Sequence, residues 1–415
     1  MMLTLIKNIN KLITISENSE IKKGRKMSEV SSINDAWLLI EKNKIKDFGS
    51  KKDKQRIKKF TITNTIDAEN GMVLPCFCDS HTHIVYSGSR EKEFVDRING
   101  LSYEEIAKNG GGILNSSKII KKTSEESLFN QSINRVHEVI KSGTGCLEIK
   151  SGYGLETNQE LKMLRVIKQI KENVEIPIKS TFLGAHAIPK KYKSNPDKYV
   201  QKIINEMIPK VAEENLADYI DVFCDRGFFN PKQTEKILEK GMEFGMKPKI
   251  HANELDFSGG IQVGVKMNAI SVDHLEFTGK KEIKELKNSN TISTLLPTTA
   301  FFLGLKYPPA RNMINNNLPI ALASDYNPGS SPSGNMEFVI SLGCLKLKMS
   351  PEECINAATI NGAHAIELQN EYGTIEIGKV ANLIITKNIP SISYIGYKFG
   401  NSVIKKVLIN GKIYK

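Results

Sequence analysis

An α/β chain with an eight-stranded (β/α)8 barrel at its centre and a small β domain assembled from its two ends is expected for these 415 residues. Three features lead to that architecture. From about Val73, short β-branched apolar runs alternate with longer amphipathic stretches, the period of repeated βα units. Eight such runs occur over about 250 residues, the count and size of a closed parallel barrel. Both ends of the chain instead alternate apolar and polar residues, as strands with one solvated face do.

The elements follow in chain order. LTLIKNINKLITI (3–15), AWLLIEKNKIKDFG (36–49), with a turn at Asn43 and its lysine neighbours, and TITNTIDAEN (61–70) read as short strands joined by charged turns. The barrel strands are VLPCFCD, CLEIKSG, IKSTFLGAH, YIDVFCD, PKIHAN, ISVDHLE, ISTLLP and PIALASD, starting near 73, 146, 178, 219, 248, 270, 292 and 319. Helical stretches such as NQELKMLRVIKQIKE, PKQTEKILEKGMEFG and GKKEIKELKN lie between them. A long irregular segment from about Ser87 to Ser117, containing Gly110-Gly111-Gly112, interrupts the first unit and is expected to be an active-site loop. GTIEIGKVANLIITK and VIKKVLINGKIYK return to strand patterning, with Asn410-Gly411 as a two-residue hairpin signal. The expected division is 1–72 and 367–415 for the β domain and 73–366 for the barrel.

Composition narrows the function. At 40% hydrophobic and 25% charged residues the chain is globular rather than disordered or fibrous. The 58 Lys+Arg exceed the 46 Asp+Glu, a formal charge of +12, which raises a polyanionic partner as a possibility. The basic runs at 21–26 and 51–59 lack interleaved aromatics, so they read as solvated turns and nucleic acid is not expected. Lys7 and Lys11 break the opening apolar stretch, and no run approaches the ~20 residues of a membrane span, so neither export nor a membrane is expected. Six scattered cysteines fit a reducing, cytoplasmic setting. Cys76 and Cys78 read as small apolar fillers flanking a strand end.

In a barrel of this kind, catalytic groups gather where strands meet their C-terminal loops. Five of the seven histidines fall at such ends: His81, His83, His186, His251 and His274. His81 and His83 are two apart, so on an extended strand both rings face one side, about 6–7 Å apart at ~3.3 Å rise per residue. Neutral imidazoles with one carboxylate suit a divalent transition metal, and His251 and Asp325 are the natural completing ligands. A metal lowers the pKa of its water toward ~7, but a proton must still move from the water to the leaving nitrogen. Glu254, three residues past His251, is placed to shuttle it. His274 is placed to orient the water or stabilise the developing oxyanion.

These residues sit in longer motifs. VLPCFCDSHTH, HANE, DHLE and ALASD resemble the amidohydrolase superfamily, and SGSREKEFVDRINGLSYEEIAKNGGGIL, EIKSGYGLE, FLGAHAIP and SDYNPGSSP closely resemble its imidazolonepropionase family. The resemblance runs over essentially the whole chain. It implies a TIM barrel flanked by a β-sandwich, a cytosolic homodimer, one zinc or iron ion, and hydrolysis of 4-imidazolone-5-propanoate to N-formimidoyl-L-glutamate in histidine degradation. It makes His81, His83, His251 and Asp325 the metal ligands, with Glu254 and His274 assisting. It places Arg90, Tyr153, His186, Glu254, Asn327, Gly329 and Ser330 around the substrate. Arg90 offers a fork of donors for the propanoate carboxylate. Departures from the family pattern are Cys76 and Cys78, where relatives carry glycine and an aliphatic residue, and Ser330, where threonine is common. The carbamylated lysine of two-metal members is replaced at the end of strand four by Cys224-Asp225, so one metal is implied. The alternative within the superfamily is a mononuclear-metal deaminase of a heterocyclic base, which has no need of an Arg90 clamp. A non-catalytic scaffold would have lost ligands, and none is missing.

Overall fold

The computed structural model describes residues 3–16, 18–101, 105–106 and 111–414. The chain begins in a small mixed sheet. Strand β1 (Leu3–Ile15) pairs antiparallel with β2 (Ser31–Glu41), which turns at Lys42-Asn43 into β3 (Lys44–Ser50). β4 (Asn64–Asp67) and β5 (Met72–Pro75) then lie parallel to β1.

The run VLPCFCD, expected as one barrel strand, is two. Met72–Pro75 stays in the small sheet, and after Cys76 the chain enters the barrel as β6 (Phe77–Asp79). Proline donates no backbone hydrogen bond, so a ladder can stop at Pro75 without leaving an orphaned donor. Seven further strands follow: β7 (Thr144–Lys150), β8 (Ile178–Ala185), β9 (Tyr219–Cys224), β10 (Lys247–Ala252), β11 (Ser271–His274), β12 (Ile292–Leu295) and β13 (Ile320–Leu322). Each is parallel to the next, in sequence order. Parallel strands in a barrel are covered on both faces, which is why β9 (YIDVFC) is buried along its whole length.

The intervening helices carry their own signals. Ser124 caps Glu125–Lys141, and Asn230 with Gln233 forms a capping box on Pro231–Glu243, where Pro231 occupies the first turn. The segment expected to be irregular between Ser87 and Ser117 contains the helix Glu91–Ile98 and the start of another, Ile113–Lys122. Buried Glu93 and Ile113 anchor them, an amphipathic signal masked by the many charges around it. Gly110 and the rest of 107–110, with 102–104, lie outside the described residues.

After the barrel, β14 (Leu383–Thr386), β15 (Ile404–Ile409) and β16 (Lys412–Ile413) rejoin the small sheet through the β14–β5 pair. Asn410 and Gly411, both at positive φ (51° and 74°), make the two-residue turn between β15 and β16. At its β3 edge the eight-stranded mixed sheet meets the segment leading into β14, where Ile45 N donates to Lys379 O and Gly378 N donates to Ile45 O (both 2.8 Å). Ile6, Ile9, Leu12, Leu38, Val73, Leu383 and Leu408 form the core inside it. The basic run Lys51–Lys59 is a 3-10 helix rather than a turn, because Ile57 packs against Trp37 and Leu39 while its lysines face outward.

Candidate metal centre and active site

Barrel closure and the candidate ligands are one structure. The first and last strands meet just past their ends, where Asp325 N donates to His81 O (3.0 Å) and His83 N donates to Tyr326 O (2.9 Å). Asp79 reinforces the seam by accepting from Ser324 N (2.9 Å) and bonding Ser324 Oγ (2.5 Å). The i, i+2 spacing therefore brings both imidazoles to the mouth of the barrel beside the strand-eight carboxylate.

There, His81 Nε2 and His83 Nε2 are 3.3 Å apart, as are His83 Nε2 and His251 Nε2. Asp325 Oδ1 is 3.5 Å from both His81 Nε2 and His83 Nε2. All four side chains are buried. The opposite edges of two rings are engaged: His81 Nδ1 bonds Asp273 Oδ2 (2.6 Å) and His251 Nδ1 bonds Asp221 Oδ2 (2.9 Å). With Nδ1–H donating to a carboxylate, the Nε2 of His81 and of His251 presents a bare lone pair. Three ring nitrogens and one carboxylate oxygen thus converge at 3.3–3.5 Å in a buried site, a donor set that fits a metal. Burial and the neighbouring positive groups hold His81, His83 and His251 well below the usual imidazole range, so the three rings are neutral. Burial raises Asp325, against the pull of His274 and a bond of 2.5 Å from Thr299 Oγ1.

His274 flanks this cluster, its ring 5.3 Å from His251 and 5.7 Å from His81. His274 and Asp325 hold left-handed backbone conformations (φ 84° and 51°), strained for residues with a Cβ and kept by the surrounding barrel. His274 Nε2 lies 3.7 Å from Glu254 Oε2, and its Nδ1 lies 3.8 Å from Glu276 Oε2. Burial pushes Glu254 up to about 8, although His274 opposes the shift. Burial alone would lower His274, but Glu254 and Glu276 outweigh it and raise it to about 10.

A cavity of about 590 Å³ opens over the cluster, and every residue expected around a substrate reaches it. His186 stacks on His83 at 5.1 Å and Tyr153 lies 5.4 Å from His186. His186 Nδ1 bonds Gly152 O (3.1 Å), and burial lowers its pKa to about 4, so the ring is neutral. Arg90 gives Nε and Nη2 to Glu93 Oε2 at 2.8 and 2.6 Å, and a Cβ on Gly329 would lie only 2.0 Å from Arg90 Nη1. Asn327 shapes the loop: its amide oxygen accepts from Gly329 N and Ser330 N (both 2.8 Å), and its amide nitrogen donates to Asp325 O (2.6 Å). His137, bonded to Tyr414, and His364, 2.7 Å from Ser19 O, lie elsewhere.

Sequence reasoning did not single out Asp221, Asp273 and Thr299, which touch the ligands, or Glu148, Lys150 and Lys249 beneath them. For the five charged ones the signal was readable: charged residues inside strands that otherwise read as apolar throughout. Cys76 and Cys78 are buried fillers, and all six cysteines are free. At the end of β9, Asp225 receives the backbone N–H groups of Arg226 and Leu255 and so organises the loop carrying Glu254.

Comparison with known proteins places this geometry. The model of the amidohydrolase family matches residues 72–414. An imidazolonepropionase from Christiangramia forsetii is 54% identical over 413 residues, covering 99% of this chain and all of the relative. One from Flavobacterium johnsoniae is 54% identical over the same length and coverage. The Escherichia coli guanine deaminase superposes with a TM-score of 0.74 at 14% identity, over all of this chain and 99% of that one, a likeness of fold. The converging histidines at the closed barrel mouth and this full-length match lead to one assignment: the chain belongs to the amidohydrolase family.

Proposed function

We propose that the protein is an imidazolonepropionase, opening the ring of 4-imidazolone-5-propanoate by hydrolysis of its cyclic amide C–N bond to give N-formimidoyl-L-glutamate, a step of histidine degradation. The observation that carries this reading is one cavity over the histidine cluster that brings together His83, His251, Asp325, the Glu254–His274 pair and Arg90. His81, His83, His251 and Asp325 would hold one ion, zinc or iron. Such an ion supplies Lewis acidity to the ring carbonyl and acidifies the attacking water.

The protein's own groups perform the remaining work. Arg90 binds the propanoate carboxylate, its guanidinium held in orientation by Glu93. His186 and Tyr153, which line the same cavity, orient the ring. Glu254 takes the water proton as the C–O bond forms and delivers it to the ring nitrogen as the C–N bond breaks. His274, kept protonated by Glu254 and Glu276, donates toward the carbonyl oxygen as negative charge develops there. That charge state favours Glu254 over His274 as the group that first accepts the proton. Among the described residues no helix is long and apolar enough to cross a membrane. A cytoplasmic homodimer follows from the family resemblance and belongs to the same proposal.

The test follows the loss of imidazolone propanoate absorbance while metal content is measured on the same sample. Ring opening that scales with bound metal supports the reading. Ammonia release from a cytosine-like base, without opening of imidazolone propanoate, would replace it with a deaminase.

A further inference from the structure

Beneath the candidate metal centre lies an ionic cluster that the proposed chemistry does not use. Glu148, Lys150, Asp221, Lys249 and Asp273 come from β7, β9, β10 and β11, and each is fully buried. Lys150 Nζ contacts Glu148 Oε1 (2.7 Å), Asp221 Oδ2 (2.8 Å) and Asp273 Oδ2 (3.5 Å). Two of those oxygens are the ones that bind imidazoles, Asp221 Oδ2 to His251 and Asp273 Oδ2 to His81. The Lys150 backbone is also tied in place, its N–H donating to Thr82 O (2.8 Å) between His81 and His83. Lys249 differs. Its ammonium bonds Glu148, Ser80 O and Ala365 O but neither of the imidazole-binding carboxylates.

We propose that Lys150 is a positioning residue for the metal centre: its single ammonium ties Asp221 to Asp273 and thereby sets two ligand imidazoles, His251 and His81, toward one cation. An imidazole turns freely about its side-chain bonds unless its far nitrogen is held, and the holding carboxylate must itself be fixed. Asp221 is fixed further by the His251 backbone N–H (3.0 Å) and Asp273 by Ser271 Oγ (2.5 Å), but among the described residues only Lys150 bridges both. Burial favours loss of the Lys150 proton, yet the three carboxylates outweigh it and raise its pKa, so the bridge stays cationic. The inference rests on the metal-centre reading above.

The test compares purified full-length wild type, Lys150→Met, Lys150→Arg and Lys249→Met for zinc affinity by chelator competition, for the visible absorption of the cobalt(II) forms, and for thermal unfolding without metal. Lys150→Met is expected to bind zinc about 10–100-fold more weakly, the usual range for loss of an outer partner, while Lys249→Met stays within about threefold although it melts lower. Unchanged affinity in Lys150→Met, or an equal loss in Lys249→Met, would overturn the proposal. Should Lys150→Met be recovered unfolded, Lys150→Arg decides: it keeps the charge but spreads the two carboxylates, so a shifted cobalt band supports the role and an unshifted band removes it. A wild-type protein that binds neither ion would instead sink the metal-centre reading.

Discussion

Glu254 stands 3.7 Å from His274 at the edge of the ligand cluster, close enough for the pair to share a proton through a water or substrate atom. Glu254→Gln keeps the shape but removes the base, so turnover is expected to fall about 10²–10⁴-fold with metal content unchanged. Assays and metal analysis on one preparation check this, and near-normal turnover would remove Glu254 as proton carrier. Glu254 accepts a proton only when ionised, and burial places that ionisation at about 8, so kcat/KM should rise with pH through an acid limb. A bound cation moves the limb to lower pH, and Glu254→Gln should abolish it. At Gly329 the lack of a side chain is what admits Arg90, since a Cβ would sit 2.0 Å from Nη1. Gly329→Ala and Arg90→Ala should therefore raise KM for the propanoate substrate more than they lower kcat, and a pure kcat effect would exclude the carboxylate clamp.

At the scale of elements, the first and last barrel strands are joined by Asp79 as well as by backbone bonds. Burial raises Asp79 to about 7, well above an unfolded aspartate at about 3.9. The folded state thus holds this proton more tightly, and the group's contribution to stability is full below about pH 4 and declines as pH rises toward 7. Asp79→Asn, which cannot ionise, should flatten the pH dependence of unfolding across that window, as urea melts at several pH values would reveal. Most elements are legible in the sequence because their periods are strong: each of the eight apolar runs contains a barrel strand, and Asn410-Gly411 is the turn it resembles. The misreadings have local causes. The run at 73–79 is split by Pro75, and Glu91–Ile98 is hidden because Glu93 turns inward to Arg90 and Arg97 reaches the cavity, which blurs its polar face.

The whole molecule depends on the barrel packing against a sheet made from both ends of the chain. Asn382 Nδ2 donates to Gly145 O (3.1 Å) and Cys76 N donates to Asn382 O (3.0 Å), while Gly143 at φ 97° lies against Ile384 and Ile404. A Cβ at Gly143 would come within 2.8 Å of both isoleucine Cδ1 atoms. Gly143→Ala should destabilise the protein by about 1–3 kcal/mol, read as a lowered unfolding midpoint, with kcat/KM unchanged because the contact is far from the barrel mouth. By itself the sequence determined the strand and helix periods, the fold they build, and the candidate ligand set His81, His83, His251 and Asp325, because these are written in local spacing and in residue types that only a few chemistries use. Tertiary structure alone decided that the strand-eight carboxylate meets the strand-one histidines through the closure bonds. It alone decided that Asp221, Asp273 and Lys150 stand behind the candidate ligands, because a charged residue in a strand names no partner until the neighbouring strand sets the register.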